Sequence, residues 1–385
     1  MTEWSGSIMF VRKALEQQGV RMDVLGRLQR NRVLASRILS RLSGLVRGGM
    51  NPLTDPTRTP AMAHHFARSI EQHLKARPTD VLFAPSSIPL AKVRCDVPMV
   101  FYTDATFSGL IDTYSDGRPF PKGYLEQGHA LEREALQRCS LAIYSSEWAA
   151  RSAVEEYGAD PDRVRVVPFG ANMERATEHA AVAADIATRG NDRLELLFLG
   201  VAWERKGGPK ALEVARLLHD RGVPVRLRII GCVPPVRDLP AYVEVTPFVA
   251  KSTPEGRALL TNAMRKAHFL LLPTLAECFG IVFAEASAFG VPSITHAVGG
   301  VPTAVHHDRN GLLFGLDEPA SAMADRILSL FGDERAYREL ALSAHAEYSE
   351  RLNWRVNGAR LADLLREAAR RGAVHPAHPV EMAAH

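Results

Sequence analysis

Short, unbroken apolar runs recur along the chain, each bounded by glycine, proline or small polar residues and followed by a stretch with apolar positions at helical spacing. Runs of this kind fit strands covered on both faces, and their alternation with helices predicts parallel sheets wrapped by helices. In the first half they fall near residues 21–25, 81–84, 99–102, 141–144 and 164–167. A second series falls near 194–199, 225–230, 243–246, 269–272, 293–295 and 312–314. Two such series predict an α/β chain of two doubly wound, Rossmann-like domains facing across a cleft, with ligands held outside the carboxyl ends of the strands.

The densest pattern lies between Leu271 and Phe314. Phe269, Leu270, Leu271 and Leu272 read as a strand, Pro273 and Thr274 end it, and Glu277, Cys278, Phe279 and Gly280 are expected to open the next helix. On that helix Glu277 and Glu285 would lie about two turns apart on nearly one face, spaced to grip successive parts of one long polar ligand. Unpaired N–H groups at the helix opening offer an anion site. Gly290, Val291 and Pro292 then lead into a further strand, and Gly299, Gly300, Val301 and Pro302 form a tight loop of little bulk. Together these features point to a nucleotide-sugar pocket, although the glutamate spacing alone equally fits a solvated helix face.

With 385 residues and 46% hydrophobic content the chain can fill two cores. A net charge of +4 argues against a dedicated nucleic-acid binder. Cys95, Cys139, Cys232 and Cys278 are scattered without metal-ligand or redox spacing, which suits reduced thiols in the cytoplasm. No run reaches the roughly 18 apolar residues of a membrane span, and no signal peptide is visible. Within residues 21–47, Arg27, Arg30, Arg32, Arg37 and Arg41 interleave with Leu34, Ile38, Leu42 and Leu45. Such a helix either packs its leucines in a domain or makes peripheral contact with anionic lipid at the inner face of the membrane.

The segment from Glu277 to Glu285, with GVPSITHAVGGVPTAV and NGLLF after it, resembles the retaining nucleotide-sugar glycosyltransferases of family 4. DVLFAPSSIP, VFYTDATFSG, LAIYSSEWAA, VRVVPFGAN, FLGVAWERKGG and RLNWRVNGARL resemble the same family, in its order and over nearly the whole length. The resemblance implies the two-domain GT-B architecture. Residues 1–172 would form the acceptor-side domain and 190–350 the donor-binding domain, with a linker between 169 and 192. Residues 351–371 would be a helix crossing back to the first domain, and 372–385 a disordered tail rich in histidine and proline. Family members carry an apolar strand ahead of the first glycine loop, whereas Trp4, Ser5, Gly6 and Ser7 come at once here. The first strand is therefore expected to be missing, or the start to be assigned late.

By the same resemblance Lys206, with Arg205 beside it, is the diphosphate cation, while Val201 stands where the family usually has arginine. Glu285 receives the ribose hydroxyls, which a carboxylate can do with two hydrogen bonds at once. Glu277 lies by the donor sugar and favours positive charge at the reacting carbon, and Cys278, Phe279 and Gly280 line the nucleotide-sugar site. Gly6 lets the backbone approach the diphosphate. Asp104 either touches the donor sugar or caps the next helix, and Thr103 replaces a histidine that many relatives carry. Ser145, Ser146, Glu147 and Trp148 line the acceptor side or, through serine, cap a helix.

The implied reaction moves a hexose-type sugar, with retained configuration and no metal or other cofactor, from a nucleotide-diphosphate sugar to an acceptor. That acceptor would be a glycan, a lipid-linked molecule or a small molecule, in glycoconjugate or polysaccharide biosynthesis. Cations and helix amides would meet the charge on the departing diphosphate. Two alternatives keep the architecture: a phosphorylase or disaccharide synthase, and a non-catalytic partner subunit, which Val201 and Thr103 favour. A dehydrogenase would need a GxGxxG turn after a strand, and the chain has none.

Overall fold

The computed structural model describes residues 6–25, 51, 53–115, 117–174 and 176–374. Trp4, Ser5, most of the basic stretch and the tail beyond Val374 lie outside the described residues. Two units divide the chain: one runs up to Val167 and resumes at Gly358, and the other is Pro168–Asn357.

In the first unit the elements are α1 (Ser7–Gln17), α2 (Pro60–Ala76), β1 (Leu82–Ala84), β2 (Met99–Thr103), α3 (Phe107–Tyr114), α4 (Tyr124–Arg138), β3 (Leu141–Tyr144), α5 (Glu147–Glu155) and β4 (Val164–Val166). Their strands form a parallel sheet in the order β1-β2-β3-β4. Every residue of β2 and β3 is buried, as unbroken apolar runs require of strands covered on both faces. Residues 21–25, expected as a strand, join no ladder. Asp23 instead bonds the side chains of His73 and Arg77 at the end of α2, and Val24 is exposed. Two charged side chains in five residues leave that run too little apolar surface to be covered on both faces.

The second unit comprises α6 (His179–Ala187), β5 (Leu194–Leu199), α7 (Gly208–Asp220), β6 (Val225–Ile230), β7 (Val243–Thr246), α8 (Pro254–Lys266), β8 (Phe269–Leu271), α9 (Ile281–Ala288), β9 (Ser293–His296), α10 (Val301–Ala304), β10 (Gly311–Phe314), α11 (Ala320–Gly332) and α12 (Glu334–Arg351). A last helix, α13 (Trp354–Val374), begins here and continues in the first unit, where the Arg366 guanidinium donates to the Gln18 carbonyl at 2.6 Å. All six strands are parallel, in the order β10-β9-β8-β5-β6-β7. The chain thus builds outward from β5 to one side, then returns to its other side with β8. β5 and β8 therefore flank the reversal of strand order, and open α/β sheets bind ligands at the carboxyl ends of the strands beside such a reversal.

The run expected as a linker between 169 and 192 holds α6 instead. Alanine favours a helix, and Val182 and Ile186, four residues apart and each 2% exposed, give it an apolar stripe to bury.

At the amino end of β8, His268 is fully enclosed. Its Nδ1 accepts the Glu195 N–H at 3.0 Å and its Nε2–H donates to the Gly190 carbonyl at 3.1 Å, so the ring is neutral. Burial, reinforced by the neighbouring Arg189 cation, holds its pKa down to about 4. In the unfolded chain the imidazole titrates near 6.5, so between these values only the unfolded state binds the proton. Stability is complete above the unfolded value and should fall by about 3 kcal/mol as pH drops from 7 to below 4. Urea midpoints measured across that window should decline, with a shallower slope in His268→Gln.

Candidate functional site

After β5 the chain folds into a tight turn, closed by the Lys206 N–H donating to the Ala202 carbonyl at 2.9 Å and anchored by Trp203 against Phe198. That turn is stitched to the loop leaving β8, because β5 and β8 are neighbours in the sheet. The Arg205 carbonyl accepts the Leu275 N–H at 2.8 Å, and Arg205 Nη1 donates to the Ala276 carbonyl at 2.9 Å. Thr274 Oγ1 lies 3.2 Å from both the Arg205 and the Ala276 carbonyl oxygens and donates to one of them.

Three charges converge on this seam. Lys206 Nζ donates to Glu277 Oε2, and Arg205 Nη1 stands 3.5 Å from the same oxygen. The Lys206 and Glu277 side chains are only 11% and 10% exposed, so the opposite charges offset part of the cost of leaving water. Two cations on one carboxylate give this trio a net positive charge.

Glu277 is not on the helix that the sequence predicts for it. Gly280, with φ 83° and ψ 70°, is left-handed, so the right-handed helix starts only at Ile281. A Cβ at Gly280 would also stand 2.5 Å from the Phe283 ring. Glu285 alone rides on α9, and the two glutamates do not share a helix face. No side chain caps α9, which leaves its first amides to another acceptor.

Glu277 is held instead by its backbone, its carbonyl accepting the Gly300 N–H at 3.1 Å. Gly299 makes this approach possible: its φ is 50°, and a Cβ there would stand 2.2 Å from the Glu277 carbonyl oxygen. Glu285 is 6% exposed, and both its oxygens accept from Lys251 Nζ, at 2.7 and 2.6 Å. Lys251 lies in the loop between β7 and α8 and is half exposed. Sequence reasoning missed it, since a lone lysine in a polar turn carries no motif.

Cys278 and Phe279 are each 1% exposed, and Phe279 packs edge-on against Phe169 at 5.4 Å, so their side chains belong to the core. Gly6 and Asp104 lie in the first unit. Gly6 is the left-handed residue ahead of α1, and Asp104 follows β2, half-buried. Thr106, not Asp104, caps α3, its Oγ1 accepting the Gly109 N–H at 3.1 Å. Ser146 caps α5 through the Ala149 N–H at 3.2 Å, while Ser145 is enclosed after β3. What the structure brings together is Arg205, Lys206 and Glu277, with Glu285 and Lys251 beyond them on the same unit. Among the described residues no group of three or more His, Cys, Asp or Glu could hold a metal ion, and no helix is long and apolar enough to cross a membrane.

Residues 7–175 match the family described as glycosyltransferase family 4, and residues 193–333 that described as glycosyl transferases group 1. Over 297 residues the chain is 31% identical to a D-inositol 3-phosphate glycosyltransferase from Xylanimonas cellulosilytica, covering 73% of this chain and 69% of the relative. The chain belongs to glycosyltransferase family 4. Its fold is that of the GT-B glycosyltransferases. Sucrose-phosphate synthase from Thermosynechococcus elongatus superposes with a TM-score of 0.61 at 18% identity, covering 81% of this glycosyltransferase and 79% of the other chain. Anabaena HepE in complex with UDP-glucose superposes with a TM-score of 0.57 at 17% identity, covering 79% and 82%.

The seat of Glu277 in this glycosyltransferase can be tested through the glycine behind it. Gly299→Ala combines an unfavourable φ with a backbone clash and should cost about 1–3 kcal/mol of stability. Gly332→Ala, where an added Cβ meets nothing within 4 Å, should leave the thermal unfolding midpoint unchanged or slightly raised.

Proposed function

We propose that this glycosyltransferase binds a nucleoside-diphosphate sugar on its second unit and transfers the sugar, with retention and without a metal, to a hydroxyl of its acceptor. The observation that carries the reading is the convergence of Arg205 and Lys206 on Glu277 at the reversal of strand order. An arriving diphosphate replaces Glu277 as the partner of Lys206 and takes further hydrogen bonds from Arg205 and the uncapped start of α9. Glu277, so released, accepts from hydroxyls of the donor sugar, and Glu285 exchanges Lys251 for the ribose hydroxyls.

As the bond between the anomeric carbon and the phosphate oxygen breaks, negative charge grows on the diphosphate, where both cations already stand. The acceptor oxygen forms its bond on the same face, and its proton passes to a phosphate oxygen of the leaving group. The bound donor of the structural neighbour HepE supports a uridine nucleotide as first probe. The name of the Xylanimonas relative supports D-inositol 3-phosphate as first acceptor to try. Ser145, Ser146, Glu147 and Trp148, after β3, are left to the acceptor side.

Calorimetry with UDP and with inorganic pyrophosphate separates the two ends of the site. Lys206→Ala should weaken both ligands about ten- to a hundredfold, as loss of a charged hydrogen bond does, while Glu285→Ala should weaken UDP about tenfold and leave pyrophosphate unchanged. Turnover should survive EDTA. Unaltered affinity in both variants would favour the non-catalytic partner subunit.

A further inference from the structure

His296, the last residue of β9, is aligned with Phe314 of β10 and is fully buried. Its two ring nitrogens face partners of opposite kind. Lys210, in the first turn of α7, has its ammonium 3.2 Å from the Leu316 carbonyl, 2.9 Å from the Glu318 carbonyl and 3.1 Å from His296 Nε2. An ammonium has three donors and no acceptor, so these three neighbours use all of them and Nε2 must accept. The ring proton therefore sits on Nδ1, which donates to the Thr274 carbonyl at 3.1 Å. Thr274 is itself fully buried, and its hydroxyl reaches the Arg205 and Ala276 carbonyls, one residue short of Glu277.

We infer that His296 is a positioning residue, fixed in its Nδ1–H tautomer by Lys210, and that through Thr274 it holds the loop presenting Glu277, and the Arg205 turn bonded to that loop, to the donor. The hydrogen-bond partners of the ring are Lys210 and Thr274. The ring ties α7 and the turn at 315–318 to the loop after β8, so the charges at the seam keep one geometry while their partners change. Protonation would set an imidazolium against Lys210. Burial holds the imidazole below its ordinary range; the Thr274 carbonyl opposes this, Lys210 reinforces it, and the Pro273 carbonyl and the Glu318 carboxylate oppose it more weakly. The inference rests on the donor site proposed above.

Two side chains separate the two bonds. His296→Asn keeps a donor near the Nδ1 position and loses the reach to Lys210. His296→Gln keeps an acceptor near Nε2 and loses the bond to Thr274, and His296→Leu keeps neither. With UDP-glucose as donor, kcat should fall about tenfold in the Gln and Leu variants, the rate equivalent of one ordinary hydrogen bond, and stay within about threefold in Asn. KM and the affinity for UDP should stay within about twofold in all three. Nitrogen NMR of the full chain should show His296 protonated at Nδ1 alone, and Lys210→Met should give a tautomer mixture. Amide exchange at Leu275 should quicken at least tenfold in Leu but not in Asn, with β5 amides unchanged.

A proton on Nε2, an Asn variant no better than Leu, or equal loss of protection throughout β5 would overturn the inference. The tautomer and exchange measurements need no turnover. Absence of transfer from UDP-, GDP- and ADP-hexoses by the unaltered protein would instead count against the proposed function.

Discussion

Lys206 and Glu277 pair in a nearly closed environment, with Arg205 3.5 Å from the same carboxylate oxygen. Moving a single ion out of water costs several kcal/mol even after the surroundings relax, so neither side chain would hold its place alone. The two residues follow different strands, and they meet because β5 and β8 are adjacent at the centre of the sheet. The Arg205 carbonyl, bonded from the Leu275 amide, fixes the seam between their loops. Such a pair adds little net stability compared with well-packed apolar residues. It does impose one register between the two loops, and it stores a cation and an anion where an exchange of partners can release both.

The strands were legible wherever both faces are covered. Leu194–Leu199 and Leu141–Tyr144 are apolar almost throughout because parallel strands under helices have no solvent face. The run at 21–25 was misread because two charged residues among five leave too little to bury. At α6 the error was opposite: an alanine-rich segment looked like a tether, yet Val182 and Ile186 suffice to dock it. Composition in both cases gave the propensity, and tertiary burial decided the outcome.

Within the site, residue types could be read but not their geometry. Gly280 looked like the interior of a helix opening, and nothing in the letters says that its φ is positive, so Glu277 was placed one turn too far along. Lys251 and Glu285 stand 34 positions apart, and Lys210 and His296 stand 86 apart. Contacts of that kind are products of the sheet order, which a single sequence does not display. Asp104 and Thr106 both suit a helix cap, and the choice between them rests on which oxygen the chain direction brings over the Gly109 amide.

The two glutamates differ in what it takes to release them. Lys251 is half exposed, so its head can return to water and recover its hydration, and pairs with that much exposure are worth about 0–1 kcal/mol. Lys206 is 11% exposed and has no such escape, so its bond to Glu277 opens only when another anion takes the place of the carboxylate. On the proposed reading, burial alone then sets the order of engagement. Glu285 can exchange its lysine for ribose hydroxyls at little cost as the nucleoside arrives, whereas Glu277 turns to the sugar only after a phosphate has reached Lys206. A sugar without its diphosphate would find that carboxylate still occupied, which makes the leaving group the condition for the contact that orients the reacting carbon.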